Sequence, residues 1–261
     1  MLVTVFSTSD EGEHMNAHKI VQFLDDYLNI HTIEDESNNG LQVESPKEIK
    51  KIGFSVDACI DVFRRAHNEG CQLIVVHHGL IWGGIRYVRG HIYKRVKFLM
   101  NSNIGLYACH LPLDIHKEVG NNTQMAHLLG LNITGEFGPY RNINLGLLCQ
   151  ADLPLNELTS KIQKVLGDYR LFQFGGDHCK KVGIVTGSGT VALNSAVEQG
   201  CDTFITGEPK HASYHTAKEN NLNVICAGHY RTETVGIKAL KEKVKEQFSI
   251  DTVFIDVPTG L

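Results

Sequence analysis

Lys51-Ile52-Gly53 opens an apolar run at 52–56, and seventeen positions after Gly53 the chain reaches Gly70-Cys71. Lys181-Val182-Gly183 opens a second run at 182–185, and Gly200-Cys201 follows Gly183 at the same spacing. Both segments read as strand, helix, Gly-Cys, strand, so the chain is read first as an internal repeat. In register, His77-His78 after the 73–76 run falls opposite Gly207-Glu208 after the 203–206 run. The next strand of each half, at 104–108 and 224–227, delivers a histidine with an acid four residues on: His110 with Asp114, and His229 with Glu233. The first half is eleven positions longer between Gly-Cys and this motif (70 to 110 spans 40, 200 to 229 spans 29), which fits an insertion at 83–91.

Outward from the repeat, 145–148 and 253–255 complete the strand-like runs. Helical periodicity is present at 17–28, 58–68, 93–100, 123–129, 155–166, 191–198, 211–219 and 234–247. Apolar strands alternating with helices imply sheets covered on both faces. The expected fold class is α/β: two pseudo-repeated α/β halves with largely parallel sheets and a metal site in the crevice between them. The segment 132–174 is the least regular, with Gly135, Gly138, Pro139, Gly146, Pro154 and Gly167. The expected organisation is a leader or flexible arm at 1–14 (or an added edge strand at 2–6), a first α/β half at 15–131, a connecting segment at 132–174 and a second half at 175–261.

The 261 residues, 42% of them hydrophobic, suffice for one large or two small domains. A net charge of -4 without any basic run argues against nucleic acid as the default partner, because phosphate neutralisation needs clustered Lys and Arg. No stretch reaches the roughly 18 apolar residues of a membrane helix. The opening apolar residues are too few for a signal sequence. Seven scattered cysteines without a C-x-x-C read as free thiols in a reducing, cytoplasmic compartment. Fourteen histidines are the compositional anomaly.

In open parallel sheets, functional groups gather beyond the carboxyl ends of strands. His77, His78, His110, Asp114, Glu208, His211, His229 and Glu233 all follow such ends. Imidazole with carboxylate suits Zn, Fe, Mn, Co or Ni. Adjacent histidines on extended backbone point to opposite sides, so His77 and His78 serve two neighbouring ions better than one. His229 and Glu233, four apart, meet on one helical face, where the glutamate can bridge two ions. The expected cofactor is therefore two divalent metal ions per chain, roughly 3.5–4 Å apart, with open positions of a catalytic rather than structural kind.

The blocks His77-His78-Gly79-Leu80-Ile81-Trp82, Cys109-His110-Leu111-Pro112-Leu113-Asp114 and Gly228-His229-Tyr230-Arg231-Thr232-Glu233 resemble the signatures of the dinuclear metal centre, hexameric family. Its members are labelled GTP cyclohydrolase 1 type 2 homologs or interacting factors of a yeast transcriptional adaptor. Met15-Asn16-Ala17 before an amphipathic helix, and the block from Asp35 to Val43 around Asn39-Gly40-Leu41-Gln42-Val43, are similar too, so the likeness spans 15–261. The resemblance implies a toroidal homohexamer with metals facing an internal cavity. It implies His77, His78, Asp114, His229 and Glu233 as ligands, Glu233 bridging, with His110 close by. The chain departs from the family pattern at Gly79, where Pro is frequent, and at Leu111-Pro112, where Thr-Asn is frequent. The second departure reshapes the surroundings of Asp114 without removing a ligand. The chain is too short for the large extra domain that some relatives carry.

Weaker signals remain. Glu208, His110 and His211 are candidates for acid/base work or substrate contacts. His211 and His215 either form a second metal face or line the pocket. Val185-Thr186-Gly187-Ser188-Gly189-Thr190 is either an anion-holding turn or a tight strand-helix turn, and it lacks the Gly-Lys-Ser/Thr of a P-loop. The Trp82–Tyr87 insertion is either a pocket flap or a packed loop. The functional expectation is a metal-dependent hydrolase acting on a small-molecule or phosphate-containing substrate. The competing readings are a non-catalytic metal-binding ring that docks partners or handles metals, and a mononuclear structural site joining the halves.

Overall fold

The computed structural model describes residues 15–261, so the leader or edge strand expected at 1–14 lies outside the described residues. In chain order, β1 (Met15–Asn16), α1 (Ala17–Leu28), β2 (Gly40–Val43), β3 (Glu48–Ile49), β4 (Lys51–Asp57), α2 (Ile60–Asn68), β5 (Leu73–His78), α3 (Gly90–Ser102), β6 (Gly105–Ala108), α4 (Leu111–Asp114) and α5 (Asn121–Leu129) come first. They are followed by β7 (Asn132–Tyr140), β8 (Ile143–Pro154), α6 (Leu155–Leu166), β9 (Arg170–Phe172), β10 (His178–Val185), α7 (Leu193–Glu198), β11 (Thr203–Thr206), α8 (Ser213–Glu219), β12 (Asn223–Cys226), α9 (His229–Phe248) and β13 (Asp251–Phe254).

The protein is α/β with two main sheets. The first runs β13-β4-β5-β6-β2 and is parallel at every pairing except β2 with β6. The second runs β7-β8-β10-β11-β12-β9. It is parallel only through β10, β11 and β12. The expectation of largely parallel sheets thus describes the first sheet, whereas the second is mixed. The strands β5, β6, β11 and β12 read as continuous apolar runs because helices cover both faces. Val62 and Phe63 of α2 and Leu99 of α3 pack with Ile74 and Val76 on one face of the first sheet. On the other, Ile20 and Leu24 of α1 and Ile237 and Leu240 of α9 pack with Phe54 and Val75. The second sheet is enclosed likewise, by Met125, Leu158 and Ile162 on one side and Leu193, Ala196 and Ala217 on the other.

The Lys-x-Gly … Gly-Cys pattern has a local cause in both segments. A Cβ at Gly53 would lie 3.3 Å from Cys71 Sγ, and one at Gly183 would lie 3.4 Å from Cys201 Sγ, so strand and thiol need each other's smallness. The residue after each cysteine then ties the strand edge. Gln72 Oε1 accepts from the amides of Lys50 and Lys51, and Asp202 Oδ2 accepts from those of Lys180 and Lys181.

The segment 132–174 is not irregular. Gly135, Gly138, Pro139, Gly146 and Pro154 lie within the long β7–β8 hairpin of the second sheet, and Gly167 caps the C-terminus of α6 before β9. Gly146 belongs to a strand because Phe137 and Val185 occupy the space a side chain would need. The chain also crosses over at its end. Helix α9 leaves the carboxyl end of β12 in the second sheet and buries Ile237, Leu240 and Val244 against the first. Strand β13 then pairs in parallel with β4. The first turn of α9 is therefore held between the two sheets. The seven cysteines are free, all buried but the half-exposed Cys59. Burial pushes the Cys71 thiol up to about 12, which makes it a core residue rather than a nucleophile. Among the described residues no helix is long and apolar enough to cross a membrane.

Candidate metal centre

Three strand ends and one helix start meet at the crossing. His77 and His78 close β5, Asp114 closes α4 just beyond β6, and His229 and Glu233 stand one turn apart at the start of α9. The helix begins five residues earlier than its periodicity suggests, and this puts both motif residues on one face. His77 Nε2 lies 3.5 Å from Asp114 Oδ1 and 3.5 Å from Glu233 Oε1. His78 Nε2 lies 3.4 Å from Glu233 Oε2, and His229 Nε2 lies 3.1 Å from Glu233 Oε1. The ligand atoms form two close groups that share Glu233: His77 with Asp114 and Glu233, and His78 with His229 and Glu233. His110 joins His77 and His78 in a third group.

The three separations of 3.4–3.5 Å are long for hydrogen bonds and suit donors around a shared divalent cation, whereas His229 and Glu233 at 3.1 Å are also within hydrogen-bond distance. Donors at 2.0–2.2 Å around a tetrahedral ion stand about 3.3–3.6 Å apart. His77 Nε2 and Glu233 Oε2 are buried without a hydrogen-bond partner. A buried polar atom left unpaired costs about 1–3 kcal/mol, so two of them aimed into one cluster fit a group of residues that could hold a metal ion.

The opposite edge of each imidazole is fixed. His77 Nδ1 is 2.9 Å from the carbonyl oxygen of Cys109, and His78 Nδ1 is 2.9 Å from Asp57 Oδ1. His110 Nδ1 is 3.0 Å from Asp35 Oδ1, and His229 Nδ1 is 3.4 Å from Glu208 Oε1. In the neutral ring each partner can accept the Nδ1 proton, which would leave the Nε2 lone pair facing the cluster, the arrangement of metal-binding histidines. Asn121 donates to Asp114 Oδ1 at 2.8 Å, and Thr186 adds a contact at 3.5 Å.

The charges are coupled. Burial disfavours a charged His77, but Asp114 and Glu233 outweigh it and raise its pKa to about 10. At His229 burial is likewise overcome by Glu233 and Glu208, which raise the pKa to about 9. Burial would push Glu233 up, yet His77, His78 and His229 hold it well below the usual carboxylate range. Asp35, despite its burial, is held low by His110, Asn39 and the Leu111 amide. Divalent cations would take over the role that protons play on His77 and His229.

The cluster opens into a cavity of about 590 Å³ whose walls include Trp82, Tyr140, Ser188 and Lys210. Trp82 stands at its rim, 4.9 Å from the His110 ring. The Gly187 turn lies against the cluster: it has φ +60, and a Cβ there would collide with Glu233 Oε1. The amides of Gly187 and Gly189 donate to Thr232 and Thr206, so this segment is a tight strand-helix turn rather than an anion cradle.

Of the residues singled out in the sequence, His77, His78, His110, Asp114, His229 and Glu233 converge, and Glu208 stands behind His229. His211 is exposed in the turn before α8, and among the described residues neither it nor His215 joins a ligand group. The sequence reading gave no role to Asp35, Asp57 or Asn121. Asp57 ends a strand beside the site, a signal that was available. Asp35 lies within the Asp35–Val43 block, and Asn121 carried no local signal.

The family model described as Duf34/NIF3 (NGG1p interacting factor 3) matches residues 15–260. A protein of Archaeoglobus fulgidus named GTP cyclohydrolase 1 type 2 homolog is 46% identical, the match covering 95% of this chain and 100% of that protein. The solved structure of protein ybgI, described as of unknown function, superposes with a TM-score of 0.88 at 36% identity, covering 95% of this chain and all of that one. TTHA1606 from Thermus thermophilus superposes with a TM-score of 0.85 at 41% identity, with the same coverage.

Proposed function

The chain belongs to the Duf34/NIF3 family, and from that premise we propose that it is a metal-dependent hydrolase with a dinuclear divalent centre. The observation that carries this reading is the pair of orphaned buried atoms, His77 Nε2 and Glu233 Oε2, inside two donor groups that share one carboxylate. His77, Asp114 and Glu233 would hold one ion, His78, His229 and Glu233 the other, with Glu233 between them. Zn, Fe, Mn, Co or Ni suits this donor set. When bound, such a pair supplies Lewis acidity and an acidified water for attack on a phosphoryl, amide or imidazole-type carbon centre.

The protein's own groups divide the remaining work. His110, with Nδ1 tied to Asp35, presents Nε2 beside the cluster and can take and return a proton. Glu208 orients His229. Trp82 and Tyr140 wall the cavity and restrict water. The exposed His211 is an outlying candidate for substrate contact. The resemblance adds a homohexamer with cavity-facing sites, and the buried free thiols suit a cytoplasmic setting. The relatives' name makes GTP one substrate to test among nucleotides and phosphoesters.

The test is turnover of such a panel by chelated and metal-reloaded protein, alongside His110→Gln and Glu233→Gln. The hydrolase reading expects activity only after reloading. It expects Glu233→Gln to lose turnover with its fold intact, and His110→Gln to lower kcat by about 10²–10⁴. If no member of the panel turns over while partner capture survives in Glu233→Gln, the non-catalytic ring replaces this reading.

A further inference from the structure

Residues 70–113 contain no Asp or Glu, although the chain's average (29 acids in 261 residues) would place about five there. Within this stretch Arg86, Arg89, Lys94, Arg95 and Lys97 are interleaved with Ile85, Tyr87, Val88 and Tyr93. The interleaving hides the cluster from a search for consecutive basic residues, and the net charge of -4 masks it further. All four apolar residues are exposed, Tyr87 to 66%. Among the described residues none of the five cations is paired with a carboxylate. Instead the Arg89 guanidinium lies 4.7 Å from the centre of the Tyr87 ring, and Lys97 Nζ lies 5.5 Å from that of Tyr93.

We propose that the strip from Trp82 to Lys97 binds single-stranded nucleic acid and leads it to the mouth of the metal cavity. Cations alone would fit any polyanion. Exposed aromatic rings held among them fit unpaired bases, each of which offers a face for stacking, whereas duplex bases are already stacked. The strip is continuous with the site: Trp82 is both its first residue and the cavity rim, 6.2 Å from the His78 ring and 4.9 Å from that of His110. The insertion is anchored at Trp82 and Gly83 and exposed beyond them, at Ile85, Tyr87 and Val88. The choice of nucleic acid over other polyanions leans on the hydrolase reading, since paired metal centres act on phosphodiesters.

The experiment is fluorescence anisotropy of a labelled single-stranded oligonucleotide, about 12 nucleotides long, with chelated full-length protein across a salt series. A duplex of the same length and anionic lipid vesicles serve as competitors. Binding is read without metal, so failure of the hydrolase reading leaves this result standing. The expected salt slope is about −3, from about 0.7 per neutralised phosphate over four to five contacts. Arg86→Ala with Arg89→Ala should weaken binding at least tenfold and reduce the slope by about 1.4. Tyr87→Ser should weaken binding about tenfold with the slope unchanged. All these side chains are exposed, so unaltered thermal unfolding is expected, and an Arg86→Glu, Arg89→Glu pair gives a second, stronger reading. Binding insensitive to all these variants overturns the proposal. So does equal affinity for duplex, capture only by vesicles, or a change in sedimentation mass as the variants' sole effect.

Discussion

Asn121 joins Asp114 to helix α9: its Nδ2 donates to Asp114 Oδ1 at 2.8 Å while its Oδ1 accepts from the Gly236 amide at 2.9 Å. One fully buried side chain therefore sets the distance between the carboxylate after the first sheet and the helix that brings His229 and Glu233 from the second. Replacing it by leucine removes both bonds and takes a donor from Asp114 Oδ1 and an acceptor from the Gly236 amide. The expected loss is about 2–4 kcal/mol of unfolding free energy, read by urea denaturation, together with weaker metal retention. Unchanged stability would mean that α9 is positioned by its apolar face alone.

Asp57 and Asp35 each hold a histidine, but with different burdens. Asp57 is partly exposed and contacts His78. Asp57→Asn should weaken metal affinity about 10–100-fold, measured by competition with a chromophoric chelator, and leave the unfolding midpoint nearly unchanged. Asp35 also accepts from the amides of Ser37 and Leu111 and from Asn39. Asp35→Ala should therefore cost about 3 kcal/mol or more, because several buried donors lose their partner at once.

Metal uptake should release protons. The raised values of His77 and His229, about 10 and about 9, mean that both rings are protonated at neutral pH in chelated protein. Ligation requires their neutral forms, so calorimetry at pH 7 in buffers of different ionisation heat should report about two protons released per chain. Affinity should rise with pH until it passes these values. For the chelated fold the signs are opposite for the two residue types. The histidines' contribution is present below their unfolded value and is lost as pH rises through about 9 to 10. Glu233, held low, contributes above its unfolded value, and that contribution is lost on acidification. A chelated protein whose stability climbs steadily above pH 9 would contradict this.

Gly187 combines φ +60 with a backbone pressed against the Glu233 carboxylate. Gly187→Ala should cost about 1–3 kcal/mol from the strained conformation. It should also displace Glu233 and lower metal content, where a merely strained turn would affect stability alone.

The centre was legible because its residues follow strand ends in two segments of matching pattern, and the geometry brings those ends together. Of its supports only Asp57 stands at a strand end; the others act across distance. Asp35 reaches His110 over 75 positions, and Asn121 reaches Gly236 over 115. The β7–β8 hairpin was hidden by glycines that serve close packing rather than turns, as at Gly146 beside Phe137. The return of α9 and β13 to the first sheet left no mark in periodicity, since an amphipathic helix does not name the sheet it covers. His211 follows a strand end like the others, yet it is exposed in the turn before α8 and, among the described residues, joins no ligand group.

The most direct measurement is elemental analysis of metal per chain, on protein purified without chelator or affinity-column nickel and then reloaded with Zn, Mn or Fe. The account predicts about two first-row ions per chain, falling to one or none in Glu233→Gln with the fold retained. One ion or fewer in the reloaded wild-type protein would contradict a carboxylate shared between two ions, and with it the dinuclear centre.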